Sequence, residues 1–200
     1  MNESKCPTKT DWLKPENMIL LYSRGAFPMA DETGIIDWYM PDIRTIIPLD
    51  KFNLPRSFKK FLYTSDFQYR YDTSILKVIN ECSDRTTTWI SDELIEAYKR
   101  LDLLGHLHSV EVFQHNKLVG GLYGVTYKGA FFGESMFSRV PQASKAALVK
   151  LVEHLKECGF ILLDVQYQTE HLKMFGAVEI PFEEYSQLLL KSYSTDCIFS

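Results

Sequence analysis

Between residues 108 and 138 the chain carries a run of strand-like segments that limits the folds open to it. HSVEVFQ, KLVGGLYGVTY and AFFGESMFS are rich in β-branched and aromatic residues, and only His-Asn and Lys-Gly separate them. Asn and Gly tolerate the left-handed backbone that a two-residue hairpin turn requires. We therefore expect three consecutive strands that form an antiparallel meander.

A helix and further strands follow this meander. The segment ASKAALVKLVEHLKECGF has the apolar periodicity of an amphipathic helix, and Gly159 lies where such a helix would end. ILLDVQYQ and GAVEIP have the pattern of short strands, and a last helix is expected from Phe182. This order of elements resembles the N-acetyltransferase superfamily fold, in which an acyl donor occupies a cleft between splayed central strands.

The residues before the meander mix helices and strands. A short helix is predicted to begin at Pro15 in PENMILLYSRGAFP and to lose helical character at Gly25 and Pro28. Further helices are predicted at PRSFKKFLY, TSILKVINEC and SDELIEAYKRLDLL, and strands at IIDWYM, TIIPLD and FQYRYDT. Ser91 is suited to cap the last of these helices. The fold class is therefore predicted as α+β, with a small N-terminal α+β domain at residues 1–103. It packs on an N-acetyltransferase-like domain at residues 104–200.

Composition narrows the function classes. Apolar residues make up 46% of the 200 residues, which is typical of a globular chain. We expect a cytoplasmic protein with no membrane partner, because no apolar run approaches the roughly 20 residues of a bilayer span and the N-terminus is polar. The net charge of −4 argues against a surface that coats nucleic acid broadly. The cysteines, Cys6, Cys82, Cys158 and Cys197, are too far apart for a zinc or disulfide pattern and are expected to be reduced, mostly buried thiols.

Several common site chemistries do not fit the sequence. His106 and His108 would share one face of a strand, but no nearby ligand has suitable spacing, so a hydrogen-bonded structural pair is favoured over a metal site. Ser135 lacks the second glycine of a nucleophile elbow. Cys158 lies at a helix C-terminus, where the dipole disfavours a thiolate. No GxGxxG, Walker loop or glycine-rich acetyl-CoA loop is found, since SRVPQASKAAL stands where the last would be.

Polar residues interrupt two otherwise apolar strands. Glu134 lies within FFGESMF, and Asp164 and Gln166 would point to one face of LLDVQ. They could face water on an exposed strand, or they could form the polar wall of an apolar pocket. Alternation alone leaves both interpretations open.

The exact residues of several sequence blocks are more specific than their pattern of apolar and polar positions. In chain order these are SRGAFPM, DWYMPDIR, TWISDELIEAY, GHLHSVEVF, LVGGLYGV, FFGESMFS, ASKAAL, GF followed by LLDVQ, and HL followed by FGA. Together they resemble the leucyl/phenylalanyl-tRNA–protein transferase family over roughly residues 16–190. Phe182 stands where this family commonly has arginine.

The resemblance implies an aminoacyltransferase. Such an enzyme moves leucine or phenylalanine, and methionine weakly, from charged tRNA to the α-amine of proteins that begin with Arg or Lys, which marks them for degradation. It implies no metal and no diffusible cofactor, with aminoacyl-tRNA as a substrate. We expect a monomer. The alternative suggested by the order of elements alone is an acyl-CoA-dependent N-acyltransferase, which the missing phosphate loop disfavours.

The resemblance also implies site residues. The catalytic set is Asp164, Gln166 and Glu134. The aminoacyl side-chain pocket is formed by Leu122, Phe131, Met136, Leu148 and Leu163. The aromatic residues near the terminal adenosine are Trp38 and Trp89. Within the catalytic set, the Gln166 amide is too weakly basic to hold a proton. We therefore expect Gln166 to orient the amine, with its side-chain NH₂ anchored by Asp164. Glu134 is expected to fix the acceptor's amine or its cationic first side chain.

A basic helix face is the best local candidate for tRNA phosphates. Arg56, Lys59 and Lys60 lie on PRSFKKFL, and Arg44 is nearby in sequence. Phosphate contacts carry no base information, which suits an enzyme that accepts several tRNAs. A solvated surface with no ligand would have the same composition.

Overall fold

The computed structural model describes residues 9–199. Within this range, no helix is long and apolar enough to cross a membrane. The helices are α1 (Pro15–Tyr22), α2 (Arg56–Thr64), α3 (Ile75–Ser83), α4 (Asp92–Asp102), α5 (Ala143–Glu157), α6 (Glu170–Met174) and α7 (Phe182–Ser192). Short 3-10 helices cover Lys9–Leu13 and Leu49–Lys51. Together with the strands below, they confirm the predicted α+β class.

The strands form two sheets. The strands are β1 (Phe27–Ala30), β2 (Ile36–Tyr39), β3 (Ile43–Ile46), β4 (Gln68–Tyr71), β5 (Leu107–Gln114), β6 (Lys117–Tyr127), β7 (Ala130–Ser138), β8 (Leu162–Gln166) and β9 (Val178–Pro181). β1 and β2 pair as a hairpin, and the other strands form a seven-stranded sheet in the order β4-β5-β6-β7-β8-β3-β9. The predicted antiparallel meander is confirmed in β5, β6 and β7, whose first turn holds His115 and Asn116 at positive φ.

The large sheet draws strands from both predicted segments. β3 and β4 precede residue 103, yet β3 lies between β8 and β9 and β4 pairs with β5. β8 runs parallel to β7, as the strand–helix–strand order requires, and antiparallel to β3. The division at residues 103 and 104 stays a prediction, because the sheet order by itself does not test where one folding unit ends.

Helices cover both faces of the sheet. On one face α5 packs its apolar side chains against Val110, Leu122 and Leu163. On the other face α1, α3 and α4 surround Tyr123 and Phe132. α5 approaches β6 very closely, since a Cβ added at Gly120 would lie 2.4 Å from the Cβ of Ala143. A glycine is therefore required there for packing.

The helix ends confirm two predictions. The Ser91 side chain accepts a hydrogen bond from the Leu94 main-chain N–H at the start of α4. Gly159 has a φ of 78° just after α5, the left-handed conformation of a helix C-terminus. Among the strands and α-helices of the described residues, two were not predicted: β1, whose sequence FPMA contains a proline, and the one-turn helix α6.

A β-bulge in β7 changes which side chains face which layer. Tyr123 pairs with Ser135 and Gly124 pairs with Gly133, so Glu134 is the extra residue. Because one residue is inserted, Phe132 and Phe137 lie in the same apolar cluster although they are an odd number of positions apart. Strict alternation along β7 is thus broken at the carboxylate.

Candidate active site

A cleft opens where β7 and β8 stop pairing. Their parallel ladder covers Ala130–Phe132 on β7 and Leu162–Asp164 on β8, and both strands continue beyond it. The cavity between them, of about 450 Å³, lies in the range of small-molecule sites. Its apolar lining comprises Phe27, Met29, Trp89, Leu122, Met136, Leu148, Leu151, Leu163, Val165, Leu172 and Phe175. Its polar lining comprises Arg85, Tyr123, Glu134, Ser135, Ser144, Lys145, Gln166, Tyr167, Thr169 and His171.

Glu134 lies at the buried wall of this cavity, directed there by the bulge. The Tyr22 hydroxyl donates to its Oε1 at 2.9 Å, and the Tyr98 hydroxyl donates to its Oε2 at 2.8 Å. Both phenols are fully buried. Glu134 therefore does not face water on an exposed strand; it forms part of the polar wall of the cavity.

Burial changes the acidity of this carboxyl group. Desolvation raises the pKa of Glu134 from 4.5 to about 7, against the opposing effect of the phenolic hydrogen bonds. The nearby Asp164 charge raises the pKa further, and Arg44 lowers it. The carboxyl group therefore gains or loses its charge near neutral pH.

Replacing Glu134 by glutamine should change how stability depends on pH. The folded chain keeps a proton on Glu134 between pH 4.5 and about 7 where the unfolded chain releases it, so the wild type loses stability as pH rises through that window. Glu134→Gln has no such charge, so it should gain about 3 kcal/mol in unfolding free energy relative to wild type across the window. Urea unfolding at a series of pH values measures this, and a pH-independent difference would contradict it.

Asp164 is buried beneath the cavity and does not line it. Arg44 donates to both carboxylate oxygens through Nε and to Oδ2 through Nη2, at 2.6 Å for the last. The Tyr185 hydroxyl donates to Oδ2 at 2.8 Å. The guanidinium carbon of Arg44 lies over the rings of Phe27 and Tyr185, at 4.5 and 4.8 Å from their centroids. Asp164 is thus held as a paired, buried carboxylate.

Gln166 is held by its main chain. Its main-chain N–H donates to Asp164 Oδ1 at 2.9 Å, and its φ is 58°. Left-handed backbone at a residue other than glycine is strained, and such strain concentrates at functional sites. Its side-chain Nε2 is buried and has no partner among the described residues. The expectation that Asp164 anchors the side-chain NH₂ is therefore wrong, because the Asp164 bond goes to the main chain.

Most of the predicted side-chain pocket is brought together. Leu122 on β6, Met136 on β7, Leu148 on α5 and Leu163 on β8 all line the cavity. Phe131 does not line it, because its fully buried ring packs into the apolar core, 5.6 Å from the ring of Phe199.

The two predicted tryptophans lie at different places. Trp89 lines the main cavity. Trp38 lines a second, smaller cavity with Trp12, Leu13, Leu21, Ile36 and Asp37. The Trp38 ring meets the Tyr22 ring edge-on at 5.6 Å, and Tyr22 in turn donates to Glu134.

The predicted basic face is exposed in part. Arg56, Lys59 and Lys60 are exposed on α2. Arg44 does not belong with them, since its side chain is fully buried and paired with Asp164. A phosphate cannot reach it, so its predicted role in tRNA binding is wrong.

The two histidines and the cysteines occupy structural positions. His108 Nδ1 lies 2.8 Å from Asp72 Oδ2, and His106 Nδ1 lies 3.1 Å from the Thr126 carbonyl oxygen. The described residues contain no group of three or more side chains suited to a metal. Cys82 is buried, Cys158 and Cys197 are half-buried free thiols, and Cys6 lies outside the described residues.

Sequence reasoning missed several residues of this site. Tyr22, Tyr98 and Tyr185 bond the two carboxylates, while Arg85 and Lys145 line the cavity. Tyr98 ends the TWISDELIEAY block and Lys145 lies within ASKAAL, so the blocks that carry the resemblance contain part of the missing signal, whereas Arg85 lies outside them.

Comparison with known proteins identifies the family. The family model "Leucyl/phenylalanyl-tRNA protein transferase" matches residues 46–190, and the model of that family's N-terminal domain matches residues 12–42. A leucyl/phenylalanyl-tRNA–protein transferase of Herpetosiphon aurantiacus is 49% identical over 191 residues, covering 95% of this chain and 100% of that protein. One of Salinibacter ruber is 46% identical over 183 residues, covering 91% and 81%.

A solved structure shows a more distant likeness. A crystal structure of a predicted acetyltransferase with acetyl-CoA from Clostridium acetobutylicum is 14% identical to this chain, with a TM-score of 0.42. The match covers 55% of this chain and 88% of that protein. The family predicted from the sequence blocks is confirmed by the family models and the relatives. The chain therefore belongs to the leucyl/phenylalanyl-tRNA protein transferase family of aminoacyltransferase enzymes.

Proposed function

We propose that the protein transfers leucine or phenylalanine, and methionine weakly, from charged tRNA to the α-amine of proteins whose first residue is Arg or Lys. The product is a degradation signal, and the reaction takes place in the cytoplasm with the enzyme as a monomer. The observation that carries this proposal is the apolar cavity whose polar wall holds Glu134 and the strained Gln166.

The apolar lining suits the donor's side chain. Leu122, Leu148 and Leu163 are buried, and the unbranched, flexible Met136 can adapt to either leucine or phenylalanine. Side chains branched at Cβ are stiff at χ1, so we expect isoleucine and valine to be disfavoured at the neck of the cavity. Such discrimination is modest, since one methylene changes it by about 1–3 kcal/mol.

Shortening Leu122 should broaden the choice of donor. With Leu122→Ala, we expect the ratio of kcat/KM for tryptophanyl donors to that for leucyl donors to rise about tenfold, because the cavity gains volume. Leu155→Ala is the matched control, since Leu155 is buried on α5 but does not line the cavity. A donor ranking unchanged from wild type would contradict the proposed lining.

The chemistry needs positioning more than a strong base. The acceptor α-amine has a pKa of about 7.7–8.0, so part of it is neutral at cellular pH. Its nitrogen attacks the ester carbonyl carbon, the bond to the tRNA 3′ oxygen breaks, and that oxygen takes up a proton as the amine loses one. Turning an ester into an amide is downhill, so no nucleotide hydrolysis is required.

We assign the orienting role to Gln166. Gln166 lines the cavity, and its main chain is fixed by Asp164, so its side-chain carbonyl oxygen can accept a hydrogen bond from the attacking amine. Asp164 is fully paired with Arg44 and Tyr185, which argues for a fixed charge that orients Gln166 and against a proton carrier.

Glu134 is assigned to the acceptor. Each of its oxygens already accepts from a phenol, but a carboxylate offers about four lone-pair sites, so further bonds from an ammonium or a basic side chain are possible. In a cavity with restricted water such an ion pair is stronger than in bulk solvent. Among the described residues that line the cavity, Glu134 is the only carboxylate.

Arg56, Lys59 and Lys60 are assigned to the tRNA backbone. They form an exposed positive face on α2, and contacts with phosphates would make donor binding fall steeply with salt.

The acyl-CoA alternative is weakened at the start of α5. There the Ser144 N–H donates to Ser138 Oγ at 3.2 Å and the Ala143 N–H donates to the Val140 carbonyl oxygen at 3.3 Å. Main-chain groups that are already bonded are less available to a pyrophosphate.

One experiment separates these functions. Radiolabelled leucine on tRNA is offered to peptides that differ only in their first residue, and labelled acetyl-CoA is offered in parallel. Transfer of leucine to peptides that begin with Arg or Lys, and not to those that begin with Ala or Asp, is expected. Acetyl transfer without leucyl transfer would overturn the proposal in favour of the acyl-CoA alternative.

A further inference from the structure

Two basic side chains line the main cavity and lack acidic partners. Arg85, in the segment between α3 and α4, and Lys145, in the first turn of α5, both belong to its lining. Neither forms an ion pair with any described residue, whereas Arg139 nearby in the chain pairs with Glu81 and Asp84. Within the described part of the chain, the positive charges of Arg85 and Lys145 are therefore not neutralised by an ion pair, unlike that of Arg139.

The neutral bonds of Arg85 leave its charge uncompensated. Its Nη2 donates to the Ser135 hydroxyl at 3.2 Å and to the Met136 carbonyl oxygen. These bonds fix the guanidinium beside β7, at the cavity. A guanidinium has five N–H donors, so Nε and Nη1 remain for a further acceptor. The residue itself is exposed, which makes these donors accessible to a ligand.

Lys145 lies where a cation is electrostatically disfavoured. α5 begins at Ala143, so Lys145 occupies the first turn of a 15-residue helix, at the positive end of its dipole. The lysine and the dipole therefore add to the positive potential that Arg85 produces at the same cavity. An anion bound there would relieve this repulsion.

An aromatic ring accompanies these cations. Trp89, four residues after Arg85 in the same connection between helices, is half-buried and also lines the cavity. Proteins that hold single-stranded nucleic acid combine a ring on which a base stacks with cations that follow the phosphates. One loop thus supplies both kinds of contact to one cavity.

We propose that Arg85 and Lys145 form a binding site for the phosphodiester on the 5′ side of the donor's terminal nucleotide. The inference rests on the proposed function, in which the amino acid esterified to that nucleotide occupies the apolar part of the cavity. With Nη2 bonded to Ser135 and Met136, the guanidinium can still donate to phosphate oxygens from Nε or Nη1, and the lysine adds a point charge. The site holds the terminal nucleotide of the donor in place, and this positions the ester carbonyl that the amine attacks.

A pair of non-reactive donors tests this site. The probes are 3′-phenylalanylamino-3′-deoxyadenosine, whose amide cannot transfer, and the same molecule with a 5′-phosphate. Calorimetry should show that wild type binds the phosphorylated probe about tenfold more tightly than the other, as expected for charged hydrogen bonds. In Arg85→Ala and Lys145→Ala the preference should fall to about twofold while affinity for the probe without phosphate is unchanged.

Two further variants make the result specific. Lys117→Ala removes an exposed cation that does not line the cavity, and it should keep the full preference. Arg85→Lys keeps the charge but alters the bonds to Ser135 and Met136, so it should retain part of the preference.

Each contrary outcome has a definite meaning. Equal loss of affinity for both probes in Arg85→Ala, or equal behaviour of Arg85→Lys and Arg85→Ala, would show that Arg85 only supports β7 and would overturn the site. Failure of both probes to bind wild type would overturn the proposed function, and the phosphate site with it.

Discussion

Replacing Gln166 by alanine should lower turnover at saturating substrates about 100-fold, because the group that orients the attacking amine is lost. Binding of charged tRNA should change less than about threefold, since the donor's other contacts remain. The two quantities are measured by single-turnover kinetics with enzyme in excess and by equilibrium binding of the charged tRNA. Weaker binding with unchanged turnover of bound substrate would contradict the orienting role.

The left-handed backbone at Gln166 requires a second variant. A φ of 58° is strained for alanine but not for glycine, so alanine could act through the main chain. Gln166→Gly also removes the amide but tolerates this conformation. Equal loss of turnover in both variants would assign the effect to the amide. Recovery of turnover in the glycine variant would show that the side chain is dispensable.

Removing the charge of Arg44 should be among the most damaging changes to stability. Arg44→Ala leaves the Asp164 carboxylate buried and without its cation, which should lower the unfolding free energy by about 3–5 kcal/mol. Urea denaturation monitored by fluorescence measures the loss through the shift in midpoint at constant slope.

A double replacement distinguishes pairing from packing. Arg44→Met combined with Asp164→Leu removes both buried charges and keeps apolar volume, so it should be more stable than Arg44→Ala alone. Tyr185→Phe should cost only about 1 kcal/mol, because it removes one neutral donor to Asp164. If the double variant lost as much stability as Arg44→Met and Asp164→Leu lose singly, added together, the two charges would not be coupled.

Local patterns predicted the regular elements well. The meander was visible because its turns carry Asn116 and Gly129, and because its strands are rich in β-branched and aromatic residues. The Ser91 cap and the Gly159 end were visible because both act within a few residues of the chain. β1 was missed, since FPMA is short and contains a proline, and it forms only against β2.

Long-range contacts limited what the sequence could say about the site. Arg44 looked like a surface cation, but its partner Asp164 is 120 positions away, and burial decides its role. The cleft wall at Glu134 depends on a bulge, which alternation cannot predict. The family resemblance of the sequence blocks correctly predicted that Glu134, Gln166 and the leucines line one cavity. It also predicted Phe131, whose ring packs in the core and does not line the cavity.

The position of β3 also bears on how the chain folds as it is synthesised. Residues Ile43–Ile46 emerge early, yet their two neighbours in the sheet are Leu162–Gln166 and Val178–Pro181. Until those later segments have left the ribosome, both edges of this strand lack their native partners, and open edges invite association with other chains. The cleft that depends on β8 is therefore completed only after residues 162–166 have been synthesised.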